Sequence, residues 1–292
     1  MIRARVFGII GASMAVVFLF SRADSQINIG DIDLDKALKA GKHLAKAASP
    51  MKYKEEHKLG RMIAARLAGN FGVWKDRAWT DYINLVGRSL VPYSTRPDIK
   101  YRFAILDTDN VNAYSAPAGY IFISRGLLNR LESEAELAGV LGHEIAHVSR
   151  KHVIKEIQKS HLYSATAIVA LEAAQVDSSQ QDMIEQLVDA SWDNLVTKGL
   201  SKEDEYEADA FGCKNAARLG YNPYGLYQFI EKLKEAEKKP GEKLKIFLST
   251  HPKPSLRLKK LDKYFQKQGL SKESGKDLAK RFQNFKTRHP LP

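Results

Sequence analysis

Ser133-Glu134-Ala135-Glu136-Leu137-Ala138-Gly139-Val140-Leu141-Gly142-His143-Glu144-Ile145-Ala146-His147 is the stretch on which the reading of this chain turns. Ser133 is a good N-cap, and Glu136 stands three residues on, the pattern of a capping box. Glu134 and Glu136 suit the positive start of a helix, and Arg150 and Lys151 suit its negative end. Leu137, Val140, Leu141 and Ile145 are apolar, so the helix is expected to be buried. Buried imidazoles need partners. His143 and His147, at i and i+4, lie on one helical face and can reach one ion together. Zinc takes neutral imidazole nitrogen well, so the pattern H-E-x-x-H predicts one zinc per chain. Glu144 stands beside the first ligand, where it can touch a metal-bound water. It is the expected general base, and later the acid that protonates a leaving amine.

A catalytic zinc needs a third protein ligand and an open fourth position. The segment after Ser201 offers one. Ser201 and Asp204 form a second cap, and Gly220 stands just past the end of the helix. Within it, Glu205 and Asp209 share a face at i, i+4. Glu205 could bind the ion while Asp209 accepts a hydrogen bond from a ligand histidine. Glu203, Asp204 and Glu207 compete on composition alone, and such an acidic cluster also reads as a solvated helix start.

Outward from these two helices, the period of the sequence changes. A helical pattern begins at Tyr53, with Leu59, Met62, Ile63 and Leu67 on one face, and ends at Gly69 and Gly72. A second fits Ala78 to Leu90, closed by Pro92. Then Tyr101, Phe103 and Ile105 alternate as a half-buried strand requires. Val111 to Tyr114 and Tyr120 to Ser124 read as two more strands. Residues 152–173 and 181–198 read as helical, with the apolar stretch Tyr163 to Ala174 as core or a partner contact. Asn222-Pro223 starts another helix as N-cap and first-turn proline, and a last one follows Pro254 with Leu256, Leu258 and Leu261. The expected fold is α+β, mainly α, with a small sheet between helices. The expected domain runs over residues 51–268.

The ends read differently. Arg3 and Arg5, the apolar run Val6 to Phe20 and Ser21-Arg22-Ala23 read as a secretory signal over residues 1–23, with cleavage near Asp24. An uncleaved N-terminal anchor in an inner membrane is the alternative. Residues 24–50 read as a leader. Export points to the periplasm or cell envelope, an oxidising space, yet Cys213 is the one cysteine, so no internal disulfide can form. It is expected to be a small buried hydrophobe. The chain has 292 residues, 44% hydrophobic and 27% charged, with formal net charge +12. Much of the excess follows residue 255, in a tail expected over residues 269–292. That tail reads as a solvated helix face with a frayed end, or as a peripheral contact with anionic membrane. No nucleic-acid partner is expected, because neither aromatic interleaving nor a nucleic-acid module is present.

With these motifs in order, the chain resembles the gluzincin metallopeptidases of family M48. These include the HtpX heat-shock proteases, the prenyl-protein (CaaX) endopeptidases and the periplasmic BepA/LoiP-type proteases. The resemblance covers roughly residues 55–265. The family's E-x-x-x-D falls on Glu205 and Asp209. Its "NA…PGG…GLL" segment falls on Asn112-Ala113-Tyr114 through Pro117-Ala118-Gly119-Tyr120-Ile121 to Gly126-Leu127-Leu128. Its "HP…R" segment falls on Thr250-His251-Pro252 with Arg257. Ala118 stands where the family usually has a glycine. The resemblance implies a zincin-type catalytic domain, with Glu205 as third zinc ligand. An edge strand around Asn112, Ala113 and Tyr114 would pair with an extended substrate backbone. It points to the minimal, exported branch, acting on unfolded or misassembled envelope proteins and peptides.

Two residues of the last segment carry a further expectation. Amide hydrolysis passes through an oxyanion, and a histidine or arginine donor can stabilise it. His251 and Arg257 are expected in that role, with His251 alternatively binding the ion and blocking water. One rival to the enzyme is a zinc-stabilised chaperone or assembly factor with incidental proteolysis. Glu144 argues against it, because a structural zinc site needs no general base. The other rival, a membrane-bound processing enzyme for lipidated peptides, requires an uncleaved N-terminus.

Overall fold

The computed structural model describes residues 51–159, 178–238 and 241–292. The expected signal and leader, and the apolar stretch Tyr163 to Ala174, lie outside the described residues. Helix α1 (Tyr53–Phe71) and helix α2 (Arg77–Leu90, capped by Asp76 on the Trp79 amide) precede the sheet. The sheet has strands β1 (Arg102–Leu106), β2 (Ala113–Ala116) and β3 (Tyr120–Ser124) in the order β1-β3-β2. Strand β3 runs parallel to β1 and antiparallel to β2, with Tyr114 opposite Phe122. The second strand therefore starts two residues later than the sequence suggested. Asn112 instead pins its start: its own side-chain oxygen accepts from the Ala113 amide, and its amide donates to Ser124 Oγ.

The turn Pro117–Gly119 between β2 and β3 holds Ala118 at φ 61°, in the left-handed region. A non-glycine residue there costs about 1–2 kcal/mol. Buried Glu56 of α1 holds the turn by accepting from the Ala118 amide at 3.0 Å, while Arg96 grips the same carboxylate. The departure from the family's glycine thus leaves the backbone path intact.

After a short helix α3 (Arg125–Arg130) comes α4 (Glu134–Ser149), capped by Ser133 as expected and buried along its whole length. Helices α5 (His152–Lys159) and α6 (Ser178–Trp192) follow, and α6 ends in a π-helical turn, Asp193–Thr197. Helix α7 (Lys202–Arg218), capped by Ser201, crosses α4 at glycines. A Cβ on Gly212 of α7 would lie 2.8 Å from the His143 amide nitrogen and 3.0 Å from the Gly139 carbonyl oxygen. Only glycine permits this approach, and the approach is what brings α7 carboxylates to the α4 imidazoles. Cys213, next along, is fully buried.

Helix α8 spans Gly225–Glu237, later than Asn222-Pro223 suggested. Asn222 Oδ1 accepts from the Tyr224 amide at 2.9 Å, so the pair forms a turn ahead of the helix rather than its cap. Helix α9 (Glu242–Thr250), which the sequence did not announce, leads into α10 (Pro254–Gln268).

Residues beyond 268, read as a tail, include a further helix. Helix α11 (Ala279–Arg288) folds back on the domain, with Phe282 fully buried. Its Phe285 ring stacks on Tyr82 at 4.3 Å between centroids and meets Trp79 edge-on at 4.9 Å. Arg281 binds Glu134, a buried carboxylate at the first turn of α4 that also accepts from Tyr82 and Tyr221 hydroxyls. Lys286 donates to the Asn129 and Leu131 carbonyls. A basic composition concealed this, because α11 has only two large apolar residues, Phe282 and Phe285, among its cations. The result is the expected mainly helical α+β fold with a small sheet. Among the described residues, no helix is long and apolar enough to cross a membrane.

Candidate metal centre

His143 and His147 leave α4 one turn apart, and their Nε2 atoms lie 2.9 Å from each other. Glu205, from the first turn of α7, faces both: Oε1 is 3.4 Å from His147 Nε2, and Oε2 is 3.8 Å from His143 Nε2. All three residues are buried, and one donor atom from each lies within 4.8 Å of the others.

The donor set fits a metal. His143 Nδ1 lies 2.9 Å from the Asp209 carboxylate, which accepts its proton and leaves a lone pair on Nε2. Glu205 Oε2 is buried without a hydrogen-bond partner. Acceptors converging in a space shielded from water call for a cation, and two imidazoles with one carboxylate suit zinc.

Asp209 is held from behind. Arg257 Nε donates to its Oδ2 at 2.9 Å and Arg257 Nη2 to its Oδ1 at 2.6 Å. Burial alone would raise the Asp209 carboxyl, but the Arg257 charge and hydrogen bonds, with His143, hold it well below the carboxylate range. Arg257 thus has a role that the sequence reading did not give it. It sits on the inner side of α10 and grips Asp209 through Nε and Nη2, which supports His143, while its Nη1 is buried without a hydrogen-bond partner.

Glu144 points into a crevice lined by Ala113, Tyr114, Ser115, His147, Glu205 and His251 on one part. Asn194, Leu195, Gly199 and Leu200 line the rest. Burial pushes the Glu144 carboxyl up to about 7, against the lowering effects of His143 and of a hydrogen bond from Ser115. Such a group is poised to exchange a proton near neutral pH. Of the expected substrate-strand residues, Ala113 and Tyr114 line this crevice. Asn112 does not; it is turned inward as the pin of β2 described above. Ser115, which the sequence did not single out, takes its place beside Glu144. Strand β2 pairs with β3 alone among the described residues, and all four of its residues are buried.

His251, in the loop after α9, stands beside the cluster. Its Nε2 is 3.8 Å from Glu205 Oε2, and its ring stacks on Phe247 at 4.1 Å. Its Nδ1 is 3.0 Å from the Thr250 hydroxyl, which can donate to it or accept from it, and 3.2 Å from the Phe247 carbonyl, which can only accept. The ring so held turns its Nε2 toward Glu205. Burial lowers its pKa to about 4, so the ring is neutral at physiological pH.

The sequence reading passed over His152, at the start of α5. It is fully buried, and its Nδ1 lies 2.8 Å from His147 Nδ1. Its Nε2 lies 2.9 Å from Glu207, which Arg150 in turn holds. The available signal was a third histidine five residues beyond His147.

Comparison with known proteins agrees with this geometry. The chain is 26% identical over 215 residues to the beta-barrel assembly-enhancing protease of Escherichia coli (strain K12), covering 73% of this chain and 44% of that protein. It is 32% identical over 163 residues to the mitochondrial metalloendopeptidase OMA1 of Arabidopsis thaliana, covering 56% of this chain and 31% of the other. The OMA1 of Schizosaccharomyces pombe is 28% identical over 199 residues, covering 67% and 56% respectively. The chain thus matches less than half the length of the first two. The pattern of peptidase family M48 itself matches residues 78–265, which take in α4, α7 and the His251 loop, and the chain belongs to that family.

Proposed function

We propose that this chain is a zinc-dependent endopeptidase that cleaves unfolded or misassembled proteins of the cell envelope, to which its N-terminal segment exports it. The observation that carries the catalytic part is the crevice that Glu144 shares with His147 and Glu205, two members of the cluster that His143 completes. His143, His147 and Glu205 would hold the zinc. When bound, zinc polarises a peptide carbonyl and acidifies water.

The remaining chemistry belongs to the chain's own groups. Glu144 takes the proton of the attacking water and returns it to the departing amine. The Ser115 hydroxyl, bonded to Glu144, keeps its carboxyl turned into the crevice. An extended peptide lies along β2 at Ala113 and Tyr114, where main-chain pairing gives affinity without strict sequence choice. Asp209 and Arg257 keep His143 in the tautomer that presents Nε2. His251, whose Nε2 lies 3.8 Å from Glu205, would act as a resting-state plug that keeps water from the ion. The beta-barrel assembly-enhancing name of one set of relatives supports the envelope reading, and the metalloendopeptidase name of the other supports the reaction.

The deciding experiment compares wild type with Glu144→Gln for zinc content and for cleavage of unfolded casein. The variant is expected to keep one zinc and lose about 10²–10⁴-fold in turnover, since an amide cannot accept the proton. Near-normal turnover removes Glu144 from the mechanism, and a zinc-free wild type removes the metal. For the plug, His251→Ala is expected to raise turnover; a loss returns His251 to the oxyanion role.

A further inference from the structure

The two ligand imidazoles are supported differently. His143 gives its Nδ1 proton to a carboxylate, the usual arrangement around a metal. His147 has no carboxylate at its Nδ1. It faces a second imidazole, His152 Nδ1, at 2.8 Å. Two nitrogens at that distance form a hydrogen bond only if one carries the proton and the other a lone pair.

The rest of the chain of contacts decides which. His152 Nε2 lies 2.9 Å from Glu207 Oε2 and 3.4 Å from Asp204 Oδ1. Both atoms are acceptors, so Nε2 of His152 is the protonated nitrogen. A neutral His152 then has its lone pair on Nδ1 and accepts from His147 Nδ1. That leaves the His147 lone pair on Nε2, the atom that faces His143 and Glu205. Each proton in the row points outward, from His147 to His152 to the two acids.

His152, Asp204 and Glu207 also stand close enough to suggest a second metal site. Their engagements argue otherwise. Arg150 occupies Glu207 through Nε at 3.0 Å, and Asp204 accepts from the Ser201 hydroxyl at 2.7 Å. A cation there would meet a guanidinium on one of its ligands. The trio is arranged to orient an imidazole.

We infer that His152 is a positioning residue for the metal centre, which accepts the Nδ1 proton of His147 and so fixes that ligand with its Nε2 lone pair toward the ion. Glu207 and Asp204 orient His152 in turn. This rests on the reading of His143, His147 and Glu205 as the zinc ligands. It adds a residue that touches neither substrate nor metal and acts through another.

The test uses the full chain and zinc alone. Zinc affinity is measured by competition with a chromophoric chelator for wild type, His152→Leu and His152→Asn. Leucine keeps much of the volume and removes the acceptor. Asparagine places an oxygen close to where Nδ1 stood. His152→Leu is expected to bind zinc about 10–100-fold more weakly, and His152→Asn to recover most of that loss. Equal affinity in wild type and His152→Leu overturns the inference. So does a His152→Asn as weak as His152→Leu, because the ring's bulk and not its acceptor would then matter. If wild type itself binds no zinc, the ligand reading fails first, and the two failures are told apart.

A second measurement needs no variant to fold. Long-range proton–nitrogen correlation spectra of the zinc-loaded wild type report which imidazole nitrogen carries each proton. His147 is expected with its proton on Nδ1 and His152 with its proton on Nε2. A His152 protonated on Nδ1 overturns the assignment.

Discussion

His143 and His147 leave the same helix one turn apart and face the same Glu205, yet the walls behind them are built differently. Behind His143 stand Asp209 and Arg257, both buried, joined by two hydrogen bonds with no water to replace either partner. Behind His147 stand His152, Glu207 and Arg150. That row starts buried and ends with side chains 30% and 35% exposed at Glu207 and Arg150. The deep wall is a charge pair removed from water; the shallow wall is one buried imidazole backed by a charge pair that reaches the surface. Both walls orient one imidazole. They differ in what happens when a member is removed, because solvent can repair one and not the other.

The largest expected effect is therefore at Arg257. Arg257→Leu leaves Asp209 buried beside no cation and should cost about 3–5 kcal/mol of stability, read from urea denaturation. A loss below about 1 kcal/mol would mean that water enters the deep wall, and the contrast would collapse.

Next comes metal binding. Asp209→Asn should weaken zinc about 10–100-fold, as loss of an outer carboxylate usually does. Glu207→Gln should weaken it less, by under about tenfold, because it acts through His152 and keeps solvent at hand. Equal losses in chelator competition would put the two walls on the same footing.

The smallest effect is acid dependence of stability at the shallow wall. Hydrogen bonds from Arg150 and then His152, against partial burial, hold Glu207 down to about 2 from its ordinary 4.5. A carboxylate depressed on folding contributes stability above its unfolded value, and that contribution fades as pH falls toward the folded one. The melting-temperature gap between wild type and Glu207→Gln should thus be present at pH 6 and shrink between pH 4.5 and 2. Solvent exposure keeps it under about 1 kcal/mol. A gap that stays constant or widens as pH falls assigns Glu207 no charge role in the wall.

The same contrast bears on what could be read without coordinates. The deep wall was visible as a pattern: H-E-x-x-H places two imidazoles on one face, and Glu205 with Asp209 repeats that spacing on a second capped helix. Local periodicity and capping chemistry fixed both helices to within a residue or two. The shallow wall was not visible. His152 follows a break after α4, where Lys151 adopts φ 58°, and the direction of the next helix depends on that turn. Nothing in the spacing of His152 says that its ring returns to His147.

Arg257 and the C-terminal segment teach the same limit from the other side. The sequence marks Arg257 as a residue of the centre but gives no sign of its hold on Asp209. Its partner, Asp209, lies 48 residues away in sequence, and only packing of α10 on α7 decides that they meet. Residues 269–292 read as a basic tail because charge is counted residue by residue. Phe282 and Phe285 find Trp79 and Tyr82 across the whole domain, a pairing that no local window contains. By itself, then, the sequence determined the two helices, their caps, the face that carries both imidazoles and the carboxylate beside it, all set by contacts within a few residues. Tertiary structure alone decided how closely α4 and α7 cross at Gly212, that Arg257 stands behind Asp209 and His152 behind His147, and that the C-terminal helix closes on α4. Those depend on side chains distant in sequence competing for the same buried space.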